Sequence, residues 1–523
     1  MNIPFLLERA TALYPDKEAL VSGEKRFTYA QFADRVYRFT RYLTAFGVGR
    51  GDCVAILHPN SHEYIETYFA VAYCGAILNP LNVRLSPREI VHILQDSEAR
   101  LLVTSPLYAE TTRVLIKLDT TLEKVIWTGS GGSLALSDGD GYETLIGEQS
   151  STPLPKLDIA DDEVAHLYYT SGTTGLPKGV MLTHRNVCTH ALAAIAELRI
   201  TDRDNWLHVA PLFHLADAWA TFAITWVGGK HVTLEAFEPQ KVLTATQQEK
   251  ISLTNMIPTM LNRLVHTEGA GEGDYSGLRL MLSGGSPIAP DLVKAVMETF
   301  KCDYIQTYGM TETSPYLTLS LLKENLLSRS EEEQFSYKAK TGRPFMGVLL
   351  KVVREDGTTV KPDGQEVGEI IVKGDIVSPG YWRQPDETAK AFKDGWLQTG
   401  DLAVLDEEGY VNIVDRKKDM IITGGENVYS VEVENVIYSH DAVLEAAVIG
   451  VPDPHWGEAV KAVVVLKPGK EVEEKEIIQH CKNRLASFKT PKSVDFVPEL
   501  PKTGSGKLYK KALKENFVAG QRI

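Results

Sequence analysis

Residues 168–180 read Tyr168-Tyr169-Thr170-Ser171-Gly172-Thr173-Thr174-Gly175-Leu176-Pro177-Lys178-Gly179-Val180. An apolar run at 164–169 leads straight into this segment and a second apolar run follows it. The pattern predicts a loop joining two strands. Glycine lets backbone N–H groups turn toward an anion. The hydroxyls of Thr170, Ser171, Thr173 and Thr174 add donors, and Lys178 adds a full positive charge, so the loop suits a polyphosphate. It is not a Walker A loop: no glycine directly precedes Lys178, and no Ser or Thr follows it. A flexible linker would not be expected between two apolar strands with Pro-Lys-Gly punctuation.

Before this loop the chain alternates helix and strand patterns. Residues 63–76 carry apolar side chains at helical spacing (Tyr64, Ile65, Tyr68, Phe69, Ala72), and 52–57 and 100–104 read as short buried strands. Such alternation argues layered α/β structure. The Gly/Ser/Asp-rich stretch 129–141 and the acidic stretch 328–334 read as exposed loops. From about residue 351 to 414, short alternating runs sit between the turn signals Asp356-Gly357, Asp363-Gly364 and Glu408-Gly409, the texture of a β-rich subdomain. After Asp415 the pattern is mixed again. A helix from Val431, strands at 444–449 and 461–466 and a helix from Glu474 suffice for a small α+β domain.

Composition narrows the function. A length of 523 residues suggests two to four domains, and 43% hydrophobic with 24% charged residues permits a sizeable core. Against 55 Lys and Arg stand 69 Asp and Glu, a formal charge of −14, which disfavours nucleic-acid binding and docking on anionic membranes. Five scattered cysteines without a CxxC pair argue against a disulfide framework and point to a reducing, cytoplasmic setting. The N-terminus shows no signal peptide, and the apolar stretches at 69–78 and 219–227 are too short to span a membrane.

Further motifs follow in chain order: Pro211-Leu212-Phe213-His214, Ser283-Gly284-Gly285-Ser286-Pro287, Gln306-Thr307-Tyr308-Gly309-Met310-Thr311-Glu312, Thr399-Gly400-Asp401, Asp415-Arg416-Lys417-Lys418-Asp419, Gly424-Gly425-Glu426-Asn427 and Pro501-Lys502-Thr503-Gly504-Ser505-Gly506-Lys507. Glycine suits places where backbone must approach a flat ring, Glu312 offers a hard oxygen for a hard cation, and Asp401 can accept two hydrogen bonds from a vicinal diol. With Thr28-Tyr29 and Phe32 upstream, this series resembles the adenylate-forming superfamily of acyl-CoA synthetases, peptide-synthetase adenylation domains and beetle luciferases.

The resemblance implies a fold of a large N-terminal α/β domain, 1–415, with a β-rich subdomain at about 345–415, and a small mobile α+β domain, 416–523, hinged near Lys418. It also implies roles. Thr170, Ser171, Gly172, Thr173, Thr174, Gly175 and Lys178 would hold the β- and γ-phosphates of ATP. Gly284, Gly285, Gln306, Thr307, Tyr308 and Gly309 would flank adenine, and Thr311 would bond the α-phosphate. Glu312 with Thr174 would hold Mg²⁺, Asp401 the ribose hydroxyls, and Arg416 ribose or phosphate. His214 would stand beside the acyl pocket, Lys507 would be the adenylation lysine, and Gly424 and Gly425 would line the path of CoA. The expected reaction is ATP-dependent formation of an acyl-adenylate with release of pyrophosphate, then transfer to CoA as the small domain rotates about Lys418.

Candidate pocket walls Trp219, Phe222, Met256, Gly284 and Tyr316 hold no Arg or Lys, which favours a monocarboxylic acid, with a medium- or long-chain fatty acid expected first. Aryl and short branched or thioether acids stay open, as do a carrier-protein acceptor, a luciferase-like oxygenase, an inactive scaffold and a homodimeric assembly. Partners are thus small molecules: the carboxylic acid, ATP and CoA.

Overall fold

The computed structural model describes residues 1–118, 121–129, 139–150, 152, 157–171, 177–502 and 508–518. The chain divides into two compact units, 1–349 with 372–397 and 350–371 with 398–523. The expected N-terminal boundary at Asp415 differs from this division: residues 350–371 and 398–415 group with the C-terminal part.

The first unit contains two twisted sheets. One has seven strands in the order Gly139–Gly141, Lys124–Trp127, Ala99–Thr104, Cys53–Leu57, Ile77–Pro80, Val164–Ser171 and Pro177–Thr183. Its pairings are parallel except the last, the antiparallel hairpin around the phosphate loop. Every residue of Cys53–Leu57 is buried, as expected of a parallel strand covered on both faces. The helix His62–Tyr73, capped by Ser61, is buried over 62–72 and packs on the helix Tyr29–Ala45.

The other sheet has nine strands in the order Arg343–Pro344, Tyr316–Leu319, Asp303–Gly309, Leu280–Gly284, Leu253–Asn255, Asn205–His208, Lys230–Thr233, Glu18–Ser22 and Lys25–Thr28. Six central strands run parallel, with antiparallel strands at both edges. Chain order reverses at Asn205–His208, which is flanked by the later strands Lys230–Thr233 and Leu253–Asn255. In open α/β sheets such a switch point, at the carboxyl ends of the strands, is where ligands bind. The segments 209–214, 256–257 and 284–287, and Tyr308-Gly309, all lie at those ends.

A five-stranded sheet of the second unit orders Glu426–Val428, Ile421–Thr423, Gly457–Leu466 and Val443–Asp453, with Ser493–Phe496 parallel to Gly457–Leu466. The helices Ser430–Tyr438 and Glu474–Lys482 pack against it around Val433, Ile437, Val448, Val464 and Ile477. The β-rich reading of the preceding segment holds: Leu349–Val353, Val367–Lys373, Phe392–Lys393, Trp396–Leu405 and Val411–Arg416 form a five-stranded sheet. Gly357, Gly364 and Gly409 all adopt positive φ, as the turn signals require.

Two loop expectations need correction. Residues 331–334 begin a helix, Glu331–Ala339, because Ser330 and Glu333 form a reciprocal capping box and three glutamates complement the helix N-terminus. At 129–141, Gly139–Gly141 is a short strand paired with Lys124–Trp127, and 130–138 lie outside the described residues. Among the described residues, no helix is long and apolar enough to cross a membrane.

Candidate active site

In the phosphate-loop hairpin Thr170 stands opposite Lys178, and Ser171 opposite Pro177, at the mouth of the loop. Gly172, Thr173, Thr174 and Gly175 lie outside the described residues. The Lys178 ammonium is nearly buried, pairs with Glu387 and lies 5.5 Å from the ring centroid of Tyr381. Lys178 and Lys390 hold the Glu387 carboxyl down to about 2. The Tyr381 hydroxyl in turn donates to Glu312 Oε1 at 2.8 Å. Burial, then the Glu312 charge, pushes that phenol well above its ordinary pKa, so it stays protonated and donating.

Tyr381 was not marked by any motif, yet it links the loop lysine to the motif glutamate. Its backbone segment is laid on the hairpin by Trp382 N–H donating to Gly179 O at 2.7 Å and Met181 N–H to Gly380 O at 3.1 Å. A glycine-tyrosine-tryptophan run (380–382) was the only sequence sign.

Glu312 is buried in the short 3-10 turn Thr311–Thr313, and its carbonyl accepts from Ser378 N–H at 2.8 Å. Its carboxylate is a hard oxygen donor, held by a hydroxyl, and fits a cation such as Mg²⁺. The other expected ligand, Thr174, is among the residues not described. A second group of candidate ligands, His62, Glu63 and Glu143, lies within 4.8 Å, but Arg35 pairs with Glu143 at 2.8 Å and Lys25 with Glu63 at 3.9 Å. That group is an ion network.

The expected adenine platform is compact. Ser283 pairs with Gln306 and Gly284 with Thr307 across parallel strands, and Thr307 Oγ1 donates to Ser283 O at 3.0 Å. A Cβ on Gly284 would sit 2.3 Å from Thr307 Oγ1, and one on Gly309 only 1.8 Å from the Pro315 carbonyl oxygen. Gln306 Nε2 reaches across to Ser286 O at 2.8 Å, bracing the turn in which Gly285 has φ +86°. Tyr308 is half-buried beside them.

His214 caps the helix Leu215–Val227, its ring 4.6 Å from that of Phe213. Behind this helix runs a wholly buried relay. Trp206 Nε1 donates to Asp217 Oδ1 at 3.1 Å, Asp217 Oδ2 meets His208 Nδ1 at 2.6 Å, His208 Nε2 meets His231 Nδ1 at 3.0 Å, and His231 Nε2 meets Thr225 at 2.9 Å. Trp206 then packs edge-on against Trp219 at 5.1 Å. Of the expected pocket walls, Trp219, Phe222, Met256, Gly284 and Tyr316 are all buried in this unit.

The second unit carries the remaining residues. Asp401 faces Arg416 across a ladder, with Nε to Oδ1 at 3.4 Å. Lys418 is exposed in the turn after Arg416, closed by Met420 N–H donating to Arg416 O at 3.0 Å. Gly424 and Gly425 have φ +59° and +86° in a two-residue hairpin turn between Thr423 and Glu426, the geometry of a type I′ turn. The indole of Trp456, half exposed, would lie 2.8 Å from a Cβ on Gly424. Lys507 falls outside the described residues; Lys502 and Leu508 bridge on either side of it.

Known proteins match this chain along most of its length. Residues 7–382 match the AMP-binding enzyme family, and 432–507 match the AMP-binding enzyme C-terminal domain. A feruloyl-CoA synthase of Amycolatopsis is 38% identical over 510 residues, 97% of this chain and 98% of that one. A long-chain-fatty-acid–CoA ligase of Thermus thermophilus is 38% identical over 529 residues, 99% of this chain and 96% of that one. The crystal structure of an anthranilate CoA ligase in complex with anthranoyl-AMP superposes with a TM-score of 0.89 at 28% identity, covering 99% of this chain and 98% of that one. The chain therefore belongs to the AMP-binding enzyme family, within the adenylate-forming superfamily of acyl-CoA synthetases.

Proposed function

We propose that the protein is an acid–thiol ligase that activates a monocarboxylic acid with ATP as an acyl-adenylate, releases pyrophosphate, and passes the acyl group to CoA. The observation that carries this reading is the connected array Lys178, Tyr381 and Glu312 in the same unit as the glycine platform of Gly284 and Gly309. Such an array would offer a polyphosphate a cation and a phenol donor, and a divalent cation a hard carboxylate.

A carboxylate is a poor acyl donor because its leaving group would be oxide. In-line attack of the carboxylate on the α-phosphate solves this by making a mixed anhydride. No general base is required, since the acid is already ionised at neutral pH. The difficulty is an anion attacking a polyanion, so catalysis is positioning and charge stabilisation. Lys178 and Thr170 would bind the outgoing phosphates, Thr311 the α-phosphate, and Lys507 the developing charge. Glu312 would hold Mg²⁺, which supplies charge neutralisation when bound. For the second step the Gly424–Gly425 turn, with bare backbone beside the Trp456 indole, suits the narrow arm that carries the CoA thiol. Rotation about Lys418 would exchange Lys507 for that turn.

The apolar side chains of Trp219 and Phe222 suit an alkyl chain or a ring. The five cysteines, all buried and unbridged, fit a reducing cytoplasm. The test is pyrophosphate release with ATP and Mg²⁺, with and without CoA, across fatty, branched and aryl acids. CoA-dependent turnover with one class is expected, and Lys507→Ala should slow adenylation by roughly 100-fold or more. Adenylate formation without turnover on CoA would point to a carrier-protein acceptor, and no release with any acid would overturn the proposal.

A further inference from the structure

We propose that Glu387 is an internal counter-ion that competes with polyphosphate for the Lys178 ammonium, and that this competition sets how readily pyrophosphate leaves the loop. The inference rests on the acyl-CoA synthesis proposed above and gives that same site a further residue.

The backbone after the Gly380-Tyr381-Trp382 run brings Glu387 into place. Tyr381 N–H donates to Thr388 Oγ1 at 3.0 Å and Gln384 N–H to Tyr381 O at 3.2 Å, so the short helix Pro385–Ala391 folds back on that run. Gly380 permits the approach: its φ is +142°, and a Cβ there would run into the Thr388 side chain. The run is bonded in turn to Gly179 and Met181 of the strand Pro177–Thr183, which carries Lys178. Glu387 therefore meets Lys178 although 209 residues separate them.

The three charges differ in their surroundings. The Lys178 side chain is 11% exposed, that of Glu387 24% and that of Lys390 72%. An ammonium so short of water needs a counter-ion, and among the described residues the carboxylate that meets it is Glu387. The two carboxylate oxygens are divided: Oε2 accepts from Lys178, and Oε1 accepts from Lys390 at 2.6 Å. Lys390 is solvated and lies one turn along the same helix, so it stays with Glu387 when Lys178 turns to another anion. The carboxylate is then never stranded without a cation, which keeps the exchange easy.

Lys178 stands opposite Thr170 at the mouth of the loop, where the phosphates are expected. A phosphate oxygen that takes its ammonium must displace Glu387. ATP is held by its nucleoside as well as by its phosphates, whereas detached pyrophosphate has the phosphates alone. The same competition therefore weighs most on the product.

The experiment is calorimetric titration of the full chain with magnesium pyrophosphate, and separately with ATP. We expect Glu387→Gln, which keeps the shape and removes the charge, to tighten the Kd for pyrophosphate about threefold or more, because the competing bond loses its charge assistance. Asp386→Asn removes the same charge from the exposed neighbouring residue and should shift that Kd by less than about twofold, as expected of a screened surface charge. Glu387→Ala gives the same comparison if Glu387→Gln does not fold. A smaller gain, no gain or a loss in Glu387→Gln would overturn the inference while leaving the ligase reading intact, and so would as large a gain in Asp386→Asn. Wild-type protein that binds ATP but not pyrophosphate would also overturn the inference alone. Binding of neither would overturn the ligase reading and this inference with it.

Discussion

His166 shows how a single residue can set the acid tolerance of the fold. It is fully buried between Tyr68 and Phe222, each 5.3 Å away, and neither ring nitrogen has a partner among the described residues. Burial, with the nearby His184, pushes its pKa down to about 3. The depressed value fixes the sign: the unfolded chain binds a proton near pH 6.5 that the folded chain refuses. Stability is thus intact above pH 6.5 and is lost as pH falls toward 3, at most about 1.4 kcal/mol per pH unit for one histidine. His190, held at about 3, and His184, at about 4, act in the same direction. We predict that His166→Phe narrows this loss, so that its stability relative to wild type rises by roughly 1 kcal/mol per pH unit between pH 6 and 4. Urea unfolding at pH 7, 6 and 5 checks it, and parallel pH profiles would refute it. His166 and His190 follow no spacing rule that marks them as special, because their character comes from burial by distant segments. Gly284, Gly309, Glu312 and Asp401 stand out in the sequence as candidates because a bare backbone or an acid in a fixed run has few other uses.

Among elements, the helix Leu215–Val227 is held by chemistry and not by packing alone. Asp217 on its first turn ties Trp206 and His208, and through them the strand Asn205–His208, to the helix that presents Trp219. Burial raises the Asp217 pKa while His208 opposes that, so the carboxylate depends on its partner. Removing one member of a buried, bonded pair costs about 3–5 kcal/mol. Asp217→Asn should therefore destabilise the protein by about that much in urea unfolding and raise KM for the acid more than KM for ATP. Unchanged acid KM in a folded variant would leave the relay a purely structural device. Element by element, the strands at 52–57, 100–104 and 164–169 and the helices near 64 and 431 were readable from period alone. The helix Glu331–Ala339 was not, because its composition is that of a solvated loop; only the Ser330 and Glu333 pair announced it. The relay itself was invisible, since its five members are scattered over 206–231 without a motif.

At the scale of the molecule, the expected division falls at residue 415, near the end of the strand Val411–Arg416, whereas the two compact units part between 397 and 398, inside the strand Trp396–Leu405. Lys418 sits inside the second unit, exposed and without a positive φ, in a tight turn after the Asp401–Arg416 ladder. If its torsions change between half-reactions, Lys418→Pro should spare one of them and impair the other at least tenfold. Pyrophosphate exchange and acyl transfer from preformed adenylate measure the two separately, and equal loss of both would exclude a hinge role. The division has another consequence, for biosynthesis. Residues 350–371 belong with 398–523, so they leave the ribosome before most of their own unit exists. At about 5–20 residues per second, the stretch from Lys373 to the end of the strand Trp396–Leu405 takes roughly 2–6 s to follow. In that interval the strands Leu349–Val353 and Val367–Lys373 lack the later strand Trp396–Leu405, leaving an unpaired edge open to other nascent chains. Slow emergence of residues 374–405 should therefore favour aggregation over correct assembly, and chaperone capture would be timed to that window.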